Sequence, residues 1–146
     1  MAGSIPRLLP FSGWDEWMLV KNGLYAEADA PAAQQALDIV GMWRLRGRVP
    51  HSVDSTALLV QLQLGDQGSF APATHIHPHA ANSPHRRSES ELRLQYSAAV
   101  VRAVNGLVDP SQQGVFATSV LVLAGRMGLP GWLVELRHDA THAALP

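Results

Sequence analysis

Six stretches of the chain repeat their apolar residues every three or four positions, and none alternates apolar with polar residues as a half-buried strand would. That pattern predicts helices. The first stretch runs from Ser12, a residue suited to an N-cap, to about Tyr25, with Trp14, Trp17 and Met18 spaced to share a face. Pro31 opens the second, which carries Ala36, Leu37, Val40 and Trp43 on one side and ends at Gly47 and Pro50. Ser52 caps the third, in which Ser55, Leu58, Leu59 and Leu62 precede a stop at Gly65. The fourth is long, from about Glu89 to Val108, on Leu92, Tyr96, Ala99, Val100, Ala103 and Leu107, and Asp109-Pro110 breaks it. A short fifth covers about Val115 to Met127, and Gly128 leads into a sixth that starts at Pro130. With no internal repeat, the expected fold class is all-α, a helical bundle.

Composition narrows what such a bundle can be. At 146 residues, 47% of them apolar, the chain is long enough for one domain with a full core, spanning residues 1–146. Eleven basic against 12 acidic residues leave a net charge of -1, which excludes a polybasic RNA binder that holds its target by bulk charge. No cysteine is present, so disulfides, thiolate zinc sites and cysteine nucleophiles are excluded. The N-terminus has Arg7 and Leu8-Leu9 but no long apolar segment, and no run of 18 apolar residues occurs, so a soluble intracellular protein with no membrane contact is expected.

The residues that carry chemistry stand at the end of the sixth stretch, in Arg137-His138-Asp139-Ala140-Thr141-His142. His138 and His142 are four residues apart and stack on one face of a helix, with Arg137 on the flank of that face. Leu133, Leu136, Ala140 and Ala143 form an apolar stripe, and at roughly 100° per residue both histidines lie nearly opposite its centre. They are therefore expected on the surface. Val134 and Leu145 share the histidine face, and apolar groups turned away from a core predict that a second protein surface covers them, most simply a homodimer seam.

Two imidazoles and a guanidinium suit cleavage of RNA without a metal or any other cofactor. RNA carries its own nucleophile, the 2′-hydroxyl, so the protein must supply a base for that proton, an acid for the leaving 5′-oxygen and cationic stabilisation of the phosphorane. Imidazole can fill either proton-transfer role, and Arg137 offers a planar fork matched to phosphate oxygens. Which histidine is acid and which base stays open at this point.

Other readings compete. An Arg followed five residues later by a His is common by chance, and a helical bundle can bind nucleotides or a partner without cutting. A zinc hydrolase using His138 and His142 as ligands would want Glu directly after the first histidine, where this chain has Asp139, and no third ligand is evident outside the loop described next. Between Gly65 and Ser88 the helical pattern dissolves into Gly, Pro, Ser and Ala with His75, His77, His79 and His85, which predicts a flexible inserted loop over about residues 66–88. Its histidines have a metal-affine composition, but low complexity makes an evolved metal site the weaker reading. Trp14, Trp17, Trp43 and Trp132 are expected in the core rather than stacked on bases. Arg44, Arg46 and Arg48 end a helix, where cations favour the dipole, so a structural role is expected before an RNA-backbone contact. Glu135 and Asp139 flank the motif and are expected to be solvated or paired with Arg137.

An Arg-x-x-x-x-His sequence closing the last helix of a small bundle resembles the HEPN superfamily, which includes many metal-independent ribonucleases. Ordered blocks sharpen the likeness: Trp43-Arg44-Leu45-Arg46-Gly47, Pro50, Ser55-Thr56-Ala57, Glu91-Leu92-Arg93-Leu94, Tyr96, Val101-Arg102, Asn105, and Pro130-Gly131-Trp132-Leu133-Val134 running into Arg137-His138 and Thr141-His142. Together they resemble the Las family over roughly Trp14 to Pro146. That resemblance implies an endoribonuclease that cuts the second internal transcribed spacer of precursor ribosomal RNA, leaving a 2′,3′-cyclic phosphate and a free 5′-hydroxyl. It implies nuclear, nucleolar work in large-subunit biogenesis and a homodimer whose motif helices face each other. It also implies a partner polynucleotide kinase, engaged through a long C-terminal region that family members carry beyond the point where this chain stops. Carried over to this sequence, the catalytic residues are Arg137, His138 and His142, with His142 in general acid-base work and His138 as its partner or in phosphate positioning.

Overall fold

The computed structural model describes residues 9–26, 29–67, 87–112 and 118–143. Among them every regular element is helical: α1 (Trp14–Leu24), α2 (Ala30–Arg46), α3 (His51–Gln67), α4 (Glu89–Val108), a short 3-10 turn at Asp109–Ser111, α5 (Val120–Arg126) and α6 (Gly131–His142). The all-α expectation holds. None of these helices is long and apolar enough to cross a membrane. The helices fall into two compact units, residues 1–61 and 62–146, so α3 begins in the first and ends in the second.

In the first unit α1 packs along α2. The approach is close because a Cβ on Gly23 would sit 2.7 Å from both the Ala32 carbonyl oxygen and the Ala36 Cβ. Glycine is what lets the two backbones meet there. Asp29 caps α2 by accepting from the Ala32 amide at 3.0 Å, with Pro31 in the first turn. The core gathers Val20, Leu24, Ala36, Val40, Trp43, Val53 and Ala57. Trp17 stacks parallel to Trp43 at 6.0 Å between centroids, and Phe11 leans on both rings. Trp14, expected in this core, is instead 70% exposed: it stands at the very start of α1, one turn before the buried face begins at Trp17 and Val20.

Glu16 organises the rim of that core. Its carboxylate accepts from the amide and hydroxyl of Ser12, from Trp43 Nε1 at 3.1 Å and from Arg46 at 3.3 Å. Ser12 therefore folds onto Glu16 rather than capping the helix, whose N-cap is Gly13. These donors, Ser12 foremost, hold the Glu16 pKa at about 2, below an ordinary 4.5. A carboxyl with a depressed folded-state pKa contributes stability that is complete above about 4.5 and fades as pH falls toward 2. Melting temperatures of wild type and Glu16→Gln at pH 7 and pH 2.5 should accordingly converge on acidification, and a constant gap would disprove the role assigned to this carboxylate. Arg44 pairs with Asp54 at 2.7 Å. Thus Arg44 and Arg46 serve the structure, as their place in the last turn of α2 predicts.

In the third helix the expected start shifts. The Asp54 amide donates to the Pro50 carbonyl, so α3 begins at His51 and Ser52 lies inside it. Gly65 does not stop it, and α3 continues to Gln67. Most of the predicted loop, residues 68–86 with His75, His77, His79 and His85, lies outside the described residues.

The second unit is built on α4, which starts in a capping box. Ser88 accepts from the Glu91 amide while its own amide donates to Glu91 Oε2 at 2.7 Å, which holds the Glu91 carboxyl below its usual range. Val104 and Val108 of α4 form a core with Leu123 and Ala124 of α5 and Val134 of α6. α5 spans Val120–Arg126, where Ser119 caps it by accepting from the Val122 amide, and the predicted start near Val115 lies outside the described residues. Its end is a Schellman turn: Gly128 adopts φ 71°, its amide donates to Gly125, and the Leu129 amide donates to Ala124 at 2.9 Å. Leu129 then packs on the core, and the chain enters α6 with Pro130 as N-cap.

Candidate active site

α6 packs against both α4 and α5, and that double contact decides which way its side chains point. Val134 is buried at 9% exposure in the core, with Leu133 packed beside it. Val134 was expected on the outer face next to the histidines, and this is a correction. Two neighbouring helices bury a wider arc of α6 than a single contact would, and the arc is turned toward Val134 and Arg137. Leu136 and Ala140 are partly buried, whereas Ala143 is exposed. Leu145, the other residue of the expected apolar seam, lies outside the described residues.

His138 and His142 stand on the outer face, as predicted, and both are exposed. Their rings lie 4.5 Å apart between centroids and are tilted 59° to each other. They meet because i and i+4 side chains of a helix lie one above the other. Two imidazoles can thus reach one small group from the same side.

Arg137 lies on the flank of this face, as its spacing predicts, and turns toward α4. It is partly buried, and its Nε donates to Asn105 Oδ1 of α4 at 2.9 Å. The helices carrying these two residues are packed through Val104, Val108 and Val134, so packing places Asn105 where the guanidinium reaches it. Glu135 and Asp139 are exposed, and neither forms an ion pair with Arg137. The solvated alternative therefore describes them. The Thr141 hydroxyl donates back to the Arg137 carbonyl at 2.7 Å, which engages it with the backbone of its own helix. Trp132, also expected in the core, is 63% exposed, since it lies in the first turn of α6 ahead of the buried arc.

The structure thus gathers all three motif residues predicted from sequence on one turn and a half of α6. It adds Asn105, which sequence reasoning used only as part of a family block. No local signal could have shown its contact, because the two partners are 32 positions apart. Among the described residues, no three His, Cys, Asp or Glu side chains gather as a metal-binding group.

Chemically, the arrangement offers two proton carriers side by side in water and a cationic fork at their edge. That set can bind a phosphodiester and move protons at its oxygens.

Comparison with known proteins agrees with the family likeness. The Las1-like family profile matches residues 9–146. Protein LAS1 of Saccharomyces cerevisiae is 34% identical over 142 residues, which covers 94% of this chain and 26% of the yeast protein. The pre-rRNA-processing protein las1 of Schizosaccharomyces pombe is 30% identical over 145 residues, covering 96% of this chain and 26% of that protein. Ribosomal biogenesis protein LAS1L of Mus musculus is 32% identical over 133 residues, covering 90% of this chain and 15% of that one. This chain therefore spans about a quarter or less of the length of these relatives. A profile that runs through nearly the whole chain, with three relatives at 30–34% identity from yeasts to mouse, means that the chain belongs to the Las1-like family.

Proposed function

We infer that this chain is the ribonuclease domain of a pre-rRNA-processing factor, acting in ribosome biogenesis in the nucleus or nucleolus. The observation that carries the reading is the exposed His138–His142 pair with Arg137 at its edge. The names of its relatives support the process: one is a pre-rRNA-processing protein and another a ribosomal biogenesis protein.

The substrate is the second internal transcribed spacer of precursor ribosomal RNA. One imidazole takes the proton of a ribose 2′-hydroxyl, whose oxygen attacks the adjacent phosphorus. The bond from phosphorus to the 5′-oxygen breaks, and the second imidazole, as imidazolium, returns a proton to that oxygen. The products are a 2′,3′-cyclic phosphate and a 5′-hydroxyl. Arg137 stabilises the charge on the non-bridging oxygens as the phosphorane forms. His142 serves in acid-base work, with His138 as its partner.

The active form is a homodimer whose motif helices face each other, so that each site draws on both chains. Because Val134 is buried, the argument for this seam rests on the exposed motif face and the family likeness rather than on an apolar stripe. A polynucleotide kinase partner acts with it, through sequence beyond this domain.

The decisive experiment incubates the purified domain with spacer RNA, alone and with that kinase, in excess EDTA, and maps the product ends. Cleavage should persist and yield cyclic phosphate ends, because the chemistry needs proton carriers and a cation rather than a two-metal carboxylate site. Strict metal dependence or 5′-phosphate products would overturn the mechanism, and tight RNA binding without cleavage would favour a binding module.

A further inference from the structure

The bond between Arg137 and Asn105 has a chemical asymmetry that bears on how the guanidinium meets an anion. A guanidinium has five N–H donors. Asn105 accepts from Nε, the donor nearest the side-chain stem, at 2.9 Å in a partly buried position. The Nη groups have no hydrogen bond to a described residue. Val104, beside Asn105, is fully buried, and Val134, one turn before Arg137, is in the same core. Both ends of the bond thus ride on packed helices, which fixes the plane of the guanidinium rather than leaving it to rotate on a long side chain.

The identity of the acceptor matters as much as its place. A carboxylate at position 105 would form a stronger, charge-assisted bond but would also compensate the positive charge. A carboxamide accepts the same hydrogen bond with no net charge. The orientation is held and the cation keeps its pull on phosphate.

We propose that Asn105 is a positioning residue for RNA cleavage: it fixes Arg137 through Nε, so that the Nη edge meets the substrate phosphate with its charge uncompensated. The proposal rests on the ribonuclease reading given above. It adds a residue from α4 to a site otherwise made by α6.

The test pairs two variants with three measurements. Hydrogen exchange at the Arg137 Nε–H, followed by NMR, reports the bond in the absence of RNA. Affinity for spacer RNA carrying a 2′-deoxynucleotide at the mapped cleavage position reports phosphate binding without cleavage. Steady-state cleavage then separates kcat from KM. In wild type the Nε–H is protected from exchange. Asn105→Ala loses that protection, and kcat falls on the order of 10- to 100-fold, the scale of a misplaced group. Asn105→Asp keeps the protection but binds the deoxy-substituted RNA about 10-fold more weakly, the scale of a hydrogen bond to a charged group.

Asn105→Asp keeps both shape and acceptor, so it covers the case in which alanine loosens the helix pair. Undiminished protection in Asn105→Ala, or wild-type RNA affinity in Asn105→Asp, would overturn the proposal. Exchange at Nε needs no RNA, so failure of the positioning idea shows there, whereas failure of the ribonuclease reading shows as no cleavage of spacer RNA by the wild-type protein.

Discussion

Replacing His142 by alanine should lower RNA cleavage by at least about 100-fold, the usual contribution of a group that transfers a proton in the transition state. The fold should not notice. His142 is exposed in the last turn of α6 and takes no part in the core of Val104, Val108, Leu123, Ala124 and Val134. Substitutions at such surface positions generally change stability by less than about 0.5 kcal/mol. Circular dichroism and the melting temperature should therefore match wild type while product formation collapses. Arg137→Lys should also be severely impaired, since an ammonium keeps the charge but has neither the Nε that Asn105 accepts from nor the paired Nη donors. A His142→Ala protein that folds normally and cleaves at the wild-type rate would remove His142 from the chemistry. If activity were lost only because the proposed homodimer came apart, as light scattering would reveal, the motif would be an assembly surface.

Trp43→Ala should be the most destabilising single change in the first unit, costing about 3–5 kcal/mol, the range for truncating a large buried aromatic. Trp43 has no solvent exposure and sits against Phe11, at 5.5 Å, and Trp17, at 6.0 Å between ring centroids. Removing its indole opens a cavity between two rings that cannot both collapse into it. The substitution also takes away the Nε1–H that Glu16 accepts. Trp43→Phe separates these effects: most of the ring volume stays, and the lost hydrogen bond alone costs about 1 kcal/mol. Urea unfolding of the three proteins measures both numbers. A cost below about 1 kcal/mol for the alanine variant would mean that this cluster is not the packed core described.

Helix existence was legible wherever local chemistry punctuated the chain. Glu89 and Val108 bound α4 as expected, because Ser88 and Glu91 close a capping box at one end and Asp109-Pro110 follows the other. Gly47 ends α2 for a comparable reason, its amide closing onto the Trp43 carbonyl. Periodicity alone was less informative about facing. It placed Val134 outside and Trp14 and Trp132 inside, since a helical wheel knows the stripe of its own helix but not how many neighbours press on it. The exposed histidine pair was readable because i, i+4 stacking is local. Asn105 and Glu16 were not, as their partners are brought to them by tertiary packing, 32 positions away for Arg137 and 27 for Trp43.

The bond from α4 to Arg137 also bears on whether the motif could be moved elsewhere. A peptide of α6 would contain the whole Arg-His-x-x-x-His sequence, yet at 12 residues it would be marginally helical in water. Its arginine would hang free, with no carboxamide to orient it. Grafting the six residues onto an unrelated helix would reproduce the letters and leave the guanidinium unaimed. If Asn105 has the positioning role proposed above, the smallest transferable piece is a pair of helices in register, with Asn105 as much a part of the cassette as the histidines.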